Sequence, residues 1–204
     1  MGSSCVRSCL SRGRRACYVS IVDPLAGSQW SASGTVAGFA SSAPNTVLMK
    51  FAGEELRRFA SARVLDLGCG AGRNAVPMAL LGWSVFGIDL SWPMLSAAAA
   101  RVRAEGLDHR LHLALAPMDD IPAKDASFDL VVAHGIWNLA RSAVEFRRAV
   151  GEAGLVARPG AGLFVFRTSS WPSWPAPASP RIPRWSSAST TGRRRERRPA
   201  GECR

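Results

Sequence analysis

Apolar positions in the middle of the chain follow two patterns that alternate along it. Short, nearly continuous apolar runs, typical of strands buried on both faces, span about 63–67, 83–88, 111–116, 128–134 and 162–166. Between most of them, and before the first, apolar residues recur at the three- to four-residue spacing of amphipathic helices, as over 45–60. Strands that alternate with helices favour right-handed crossovers and a sheet covered on both faces. The sequence therefore predicts an α/β fold with a mainly parallel sheet.

Capping residues mark the ends of the predicted helices. Ser91 is placed as the N-cap of an alanine-rich helix, and Ser142 opens another helix with capping-box spacing to Glu145. Gly82 is placed to end the helix that starts near Arg73. Each of these three helices lies between two predicted strands, as the crossovers of a parallel sheet require.

Charge is concentrated at the two ends of the chain and suggests three parts. The net charge of the 204 residues is +11, yet 26–166 holds 13 basic and 12 acidic residues. We expect 1–27 to be a disordered or targeting-like leader, 28–166 to be the folded core, and 167–204 to be a disordered basic tail rich in Ser, Pro and Arg. The near-neutral core argues against a nucleic-acid binder, an alternative that would depend on the arginines of the tail.

Cysteine spacing and hydropathy bear on where the protein acts. The five cysteines form no C-x-x-C pair, which predicts neither a disulfide framework nor a zinc site, and we expect no bound metal. No apolar run approaches the length of a membrane span. A reducing setting favours a cytoplasmic location. The alternative is mitochondrial, because the first twenty residues are rich in Arg and Ser and contain no acid.

Two motifs in the core carry the candidate chemistry. The first predicted strand contains Asp66 and leads into a glycine-rich turn, and the second strand ends in Asp89. Glycines let the backbone turn and approach a ligand closely, and one carboxylate suits the two adjacent hydroxyls of a ribose. A dinucleotide-binding fingerprint would have its third glycine where Arg73 stands, so the turn is better suited to a ligand that carries a cation. The glycines of the turn are Gly68, Gly70 and Gly72.

These motifs resemble motif I and the ribose-binding acid of class I S-adenosylmethionine (SAM) methyltransferases. The resemblance covers about 45–166, and Arg73-Asn74 with 80–85 is also similar to the tellurite-resistance branch of that family. It implies SAM as cofactor and a Rossmann-like sheet, with Asp89 on the ribose and Asp66 near the methionine end. Asp66 could also tie down the backbone amides of the turn. The residues that we assign to the cofactor are Asp66, Gly68, Cys69, Gly70, Gly72, Asp89, Leu90, Met118, Asp119 and His134.

Other positions have weaker assignments. Many relatives have an acid where Pro117 stands, so Met118 and Asp119 are expected to replace it beside the adenine, whereas Asp129 is expected to be structural. Cys69 is more consistent with a small packing residue than with a nucleophile, because no histidine is near it in sequence. His134 follows the fourth strand and is either a general base, a substrate contact, or a strand-end histidine bonded to backbone.

The sequence thus predicts a SAM-dependent methyltransferase that acts on a small molecule, and it identifies neither the acceptor nor an oligomeric state. The alternative is a catalytically impaired SAM-binding or partner-binding remnant, truncated or frameshifted. Class I methyltransferases usually add antiparallel strands after the fifth, and no such pattern follows Phe166. The fifth strand would then be an edge with apolar faces.

Overall fold

The computed structural model describes residues 23–59 and 62–167. Five α-helices and five strands follow one another along this part of the chain. They are α1 (Ser33–Ser41), α2 (Thr46–Leu56), β1 (Arg63–Leu67), α3 (Ala75–Leu81), β2 (Ser84–Asp89), α4 (Trp92–Ala104), β3 (Leu111–Leu115), β4 (Phe128–His134), α5 (Ala143–Val156) and β5 (Ala157–Phe166).

The five strands form one parallel sheet in the order β3-β2-β1-β4-β5, which confirms the predicted fold class. The central strand β1 pairs with β2, where Leu67 lies opposite Ile88, and with β4, where Leu67 lies opposite Ala133. After β1, the chain adds β2 and β3 on one side of it and then β4 and β5 on the other side. At such a switch point the carboxyl ends of the strands leave a crevice, so the ends of β1, β2 and β4 position the candidate site.

Apolar clusters fill both faces of the sheet. On one face, Val64 and Leu130 are fully buried with the side chains of α2, α3 and α4, among them Leu48. On the other face, Leu65 and Leu67 pack with the small inward residues of α5. Burial of each large aliphatic side chain contributes about 1.5–3 kcal/mol. Asp66 alternates with these leucines along β1, so its side chain is on the same face as that of Val64, where it is buried.

The predicted helix ends are confirmed. Ser91 Oγ accepts the N–H of Met94 at 3.3 Å, and Ser142 Oγ accepts the N–H of Glu145 at 3.1 Å. Gly82, with a φ of +117°, ends α3 in the left-handed conformation that glycine adopts without strain.

One boundary differs from the sequence prediction. The strand β5 begins at Ala157 rather than at 162, although Pro159 follows closely. The guanidinium of Arg158 donates to Asp129 Oδ1 at 2.5 Å and to the carbonyl of Ala126 at 3.3 Å, which holds an irregular stretch of β5 against β4. Asp129 also accepts the N–H of Arg63 at 2.9 Å, in keeping with its expected structural role.

Residues before α2 are more ordered than the sequence suggests. Residues 23–27, placed in the leader by sequence, form turns, and Asp23 accepts the N–H of Trp92 at 3.1 Å. The predictions for 1–22 and for 168–204 lie outside the described residues. Within the described part of the chain, every helix is too short or too polar to cross a membrane.

Candidate functional site

The glycine-rich turn between β1 and α3 has the backbone conformation that its sequence predicts. Gly68, Gly70 and Gly72 have φ angles of +66°, +55° and +76°, in the left-handed region that favours glycine. The N–H of Cys69 donates to the carbonyl of Ile88 at 3.0 Å. The turn is therefore fixed to the end of the neighbouring strand β2.

Each glycine of this turn faces a different neighbour. A Cβ atom at Gly68 would lie 2.7 Å from Cδ1 of Ile136, so that glycine lets the segment after β4 approach the turn. At Gly72 it would lie 3.3 Å from Cβ of Ala98, so this glycine also serves the packing of α3 against α4. At Gly70 the nearest atoms are 3.9 Å away, on Met94 and Phe39. Gly70 is thus the least obstructed of the three.

Asp89 joins the turn to the end of β2. Its Oδ2 accepts the N–H of Gly70 at 2.9 Å and its Oδ1 accepts the N–H of Ser91 at 2.8 Å. Burial raises the pKa of this carboxyl, while hydrogen bonds from the backbone of Ser91, Gly70 and Leu90 act to lower it. Because each carboxylate oxygen has two lone pairs, both oxygens can still accept a further donor. A ribose supplies two such hydroxyls.

Asp66 is a buried acid without a full set of partners. It is 2% exposed, and its Oδ2 has no hydrogen-bond partner. Burial, and then the nearby Asp89, raise its pKa to about 7, which Arg73 partly opposes. An unpartnered buried acceptor is costly. A cationic ligand group beside Asp66 would satisfy it and favour its ionised form.

His134, at the end of β4, is held on three sides. Its Nε2 is 3.0 Å from Nδ2 of Asn45, and its Nδ1 is 3.2 Å from Nη2 of Arg73. The ring stacks on Phe166 of β5 with centroids 4.5 Å apart. Burial, and then the Arg73 charge, lower the pKa of His134, although a hydrogen bond with its own backbone acts to raise it. The imidazole is therefore neutral at physiological pH.

Residues 64–160 match the family model described as a methyltransferase domain. This part of the chain is thus similar to class I SAM-dependent methyltransferase domains. Over 125 residues it is 30% identical to the ubiquinone/menaquinone biosynthesis C-methyltransferase UbiE of Geotalea daltonii, covering 59% of this chain and 52% of that protein. Over 114 residues it is 40% identical to the malonyl-[acyl-carrier protein] O-methyltransferase of Salmonella typhimurium, covering 55% and 40%.

A solved structure shows the same fold. The crystal structure of the [4+2]-cyclase SpnF superposes with a TM-score of 0.53 at 29% identity, covering 58% of this chain and 43% of that one. The methyltransferase domain thus spans about half the length, or less, of the relatives that it matches. SAM is the cofactor of this family, as the sequence predicts.

The residues of the methyltransferase domain fit SAM at both ends of the turn. Asp89 has lone pairs to spare beside Gly70, as a ribose requires, and Asp66 has an unpartnered oxygen, as an ammonium requires. The N–H of Gly70 in the turn donates its hydrogen bond to Asp89 and not to Asp66. The unpartnered Oδ2 of Asp66 is in keeping with the role toward the ligand, which stays a prediction.

Cys69 of the domain is a packing residue. Its side chain is buried, and Sγ would lie 2.9 Å from a Cβ at Gly87, so the thiol fills the space that this glycine leaves on β2. Burial, and then Asp66 and Asp89, raise the thiol pKa well above its usual value. A thiol that stays protonated is a poor nucleophile, in keeping with the sequence interpretation.

All the cofactor assignments stay predictions, including those of Leu90, Met118 and Asp119. Leu90 is half-buried between β2 and α4, and Met118 packs with the apolar cluster on the α5 face. The Asp119 carboxylate lies 3.4 Å from Nη1 of Arg148 on α5, so an adenine amino group would share it with that guanidinium.

Helix α1 and the segment before it pack against the site, which the sequence did not predict. The guanidinium of Arg73 lies over the ring of Phe39 at 5.8 Å, and Phe39 meets Trp30 edge-on at 6.0 Å. Ser91 Oγ donates to the carbonyl of Trp30 at 3.0 Å. The sequence signal was limited to two isolated aromatics in a segment rich in small residues. The segment 23–41 therefore lies against the glycine turn and the start of α4.

Proposed function

We propose that the chain is a SAM-dependent methyltransferase that transfers a methyl group to a small-molecule acceptor. The observation that carries the proposal is the paired carboxylates of Asp66 and Asp89 around Gly70, at the switch point of the sheet. Their spare acceptor positions suit a ligand with two ribose hydroxyls and a cationic amino acid end. The relatives named above as methyltransferases support the reaction class.

SAM supplies a methyl group that its sulfonium already activates, so the protein's task is chiefly to position the acceptor in line. Asp89 and the amide of Gly70 would orient the nucleoside, and Asp66 would hold the ammonium. His134 is poorly placed to be a general base, because donors approach both of its ring nitrogens. Of the roles predicted from sequence, we propose the second, a substrate contact; the hydrogen bond of His134 with its own backbone supports the third, a structural role.

The remnant alternative is not favoured by these comparisons, because the curated relatives that the chain matches include catalytically named methyltransferases. Turnover nevertheless needs its own measurement. The full chain is incubated with SAM and a panel of acids, phenols, amines and quinols, and S-adenosylhomocysteine is quantified by mass spectrometry. Formation of S-adenosylhomocysteine above the acceptor-free rate, lost in Asp89→Asn, supports the proposal. Tight SAM binding with no turnover on any acceptor class supports the remnant instead.

A further inference from the structure

Three side chains bring hydrogen-bond donors together at the end of β4. Asn45 Oδ1 accepts the N–H of Leu48 at 2.9 Å and so caps α2. That bond fixes the orientation of the Asn45 amide and directs its Nδ2, a donor, at His134 Nε2. We therefore assign Nε2 as the acceptor nitrogen of the neutral ring and place the ring proton on Nδ1.

The Nδ1–H of His134 then faces another donor. Nη2 of Arg73 is 3.2 Å from this nitrogen, and neither group has a lone pair to offer the other. The guanidinium keeps its positive charge at any physiological pH. Two donors that meet at one place, one of them charged, are matched by an anionic acceptor placed between or beside them.

Within this pair, His134 lies apart from the ribose contact at Asp89, whereas Arg73 follows Gly72 in the turn and is close enough to Asp66 to lower its pKa. Asp89 ends β2 and Asp66 lies in β1, whereas His134 ends β4, on the other side of β1. Because neighbouring strands are about 4.8 Å apart, β4 is about 10 Å from β2 across the sheet. Beside His134, the stacked ring of Phe166 is 40% exposed and provides an apolar surface next to the donors.

We propose that Arg73 and His134 bind a carboxylate of the methyl acceptor, and that the apolar part of the same molecule lies against Phe166. The acceptor class is then an acid with an apolar body. Asn45 is a positioning residue, because it sets the tautomer of His134. Its own N–H donates to Oδ1 of the buried Asn74 at 3.0 Å, which holds it in place. The inference rests on the proposed function, since it names the substrate of that site.

The test compares a carboxylate with its neutral amide on the full chain. The protein is saturated with S-adenosylhomocysteine, so that the carboxylate of the cofactor is already in place, and is titrated with octanoate or octanamide by calorimetry. We expect octanoate to bind at least tenfold more tightly than octanamide and to shift the His134 ring nitrogen signals in ¹⁵N NMR. Arg73→Met should remove the preference for the acid. Arg103→Met, at an exposed position of α4, should retain it.

Two results would overturn the inference. Equal affinity for octanoate and octanamide in the wild-type protein would show that no carboxylate site exists, and this comparison does not require any variant to fold. If Arg73→Met instead lowers the affinity for S-adenosylhomocysteine at least tenfold and keeps the preference for octanoate, the guanidinium binds the cofactor and not the acceptor. A wild-type chain that does not bind S-adenosylhomocysteine at all would refute the proposed function. This is a separate outcome, and it is detected when the protein is saturated with S-adenosylhomocysteine before octanoate is added.

Discussion

Asp66 makes cofactor affinity depend on pH in a direction that the structure fixes. Its pKa of about 7 means that the carboxyl is mostly protonated at pH 6 and mostly ionised at pH 8. If the ammonium of the ligand binds the ionised form, the pKa falls on binding and a proton is released. Between pH 8 and pH 6 the affinity for S-adenosylhomocysteine should then fall about tenfold, or about 1.4 kcal/mol.

The assay is calorimetry at pH 6, 7 and 8 in buffers of different ionisation enthalpy, which counts the protons released. Asp66→Asn should bind with an affinity that changes less than about twofold over this range and should release none of these protons. Asp108→Asn, an exposed control, should behave as the wild type. An affinity in the wild type that does not change with pH, or a full pH dependence in Asp66→Asn, would refute this account of the buried acid.

The same carboxyl also affects stability of the ligand-free protein. Its folded pKa lies above the ordinary value of 3.8, so between about pH 4 and pH 7 the folded state binds more protons than the unfolded state. Stability from this group is present below that window and is lost as the pH rises through it, by up to about 4 kcal/mol. Asp66→Asn should therefore unfold at higher urea concentration than the wild type at pH 8, and by a smaller margin at pH 5.

Three further changes test the local structure by urea unfolding. Ala126→Gly should stabilise the protein by about 0.5–1 kcal/mol, because Ala126 has a φ of +49° that a side chain disfavours; a loss of stability would contradict this. Asn45→Ala should cost about 1 kcal/mol by removing the cap of α2, whereas Asn45→Ser should recover most of it. Ser91→Ala should cost about 1–2 kcal/mol, since the hydroxyl both caps α4 and donates to Trp30; an unchanged midpoint would mean that neither bond matters.

Local signals explain how much of the fold the sequence predicted. The strands were recognisable as short apolar runs, most clearly β1 and β4, in which nearly every side chain is buried. The helix ends were recognisable because Ser91 and Gly82 act on their own nearest turns. Helix α1 was missed because its Ser, Gly and Ala residues give no amphipathic pattern, and none of them is buried. Its place depends instead on contacts with residues far along the chain, such as that between Phe39 and Arg73.

In the candidate site, too, local spacing could be predicted from the sequence, whereas contacts between distant residues could not. Asp66 and Asp89 could be assigned because strand, turn and acid follow each other at a fixed spacing. The meeting of Arg73 with His134 could not, since it joins residues 61 positions apart and depends on how the arginine side chain leaves the turn. Asp119 was assigned by position in a motif, and only the structure reveals that Arg148 of α5 contacts it.

The most direct test of the central claim is the affinity of the full chain for S-adenosylhomocysteine, measured beside that of Asp89→Ala and Asp89→Asn. Asp89 has two acceptor oxygens for ribose hydroxyls, and losing charge-assisted hydrogen bonds of this kind costs at least about 2 kcal/mol. We expect both variants to bind about 30-fold more weakly or worse, with their folding checked by circular dichroism. Equal affinities of folded wild type and variants would contradict the ribose assignment, and with it the cofactor site described for this sheet.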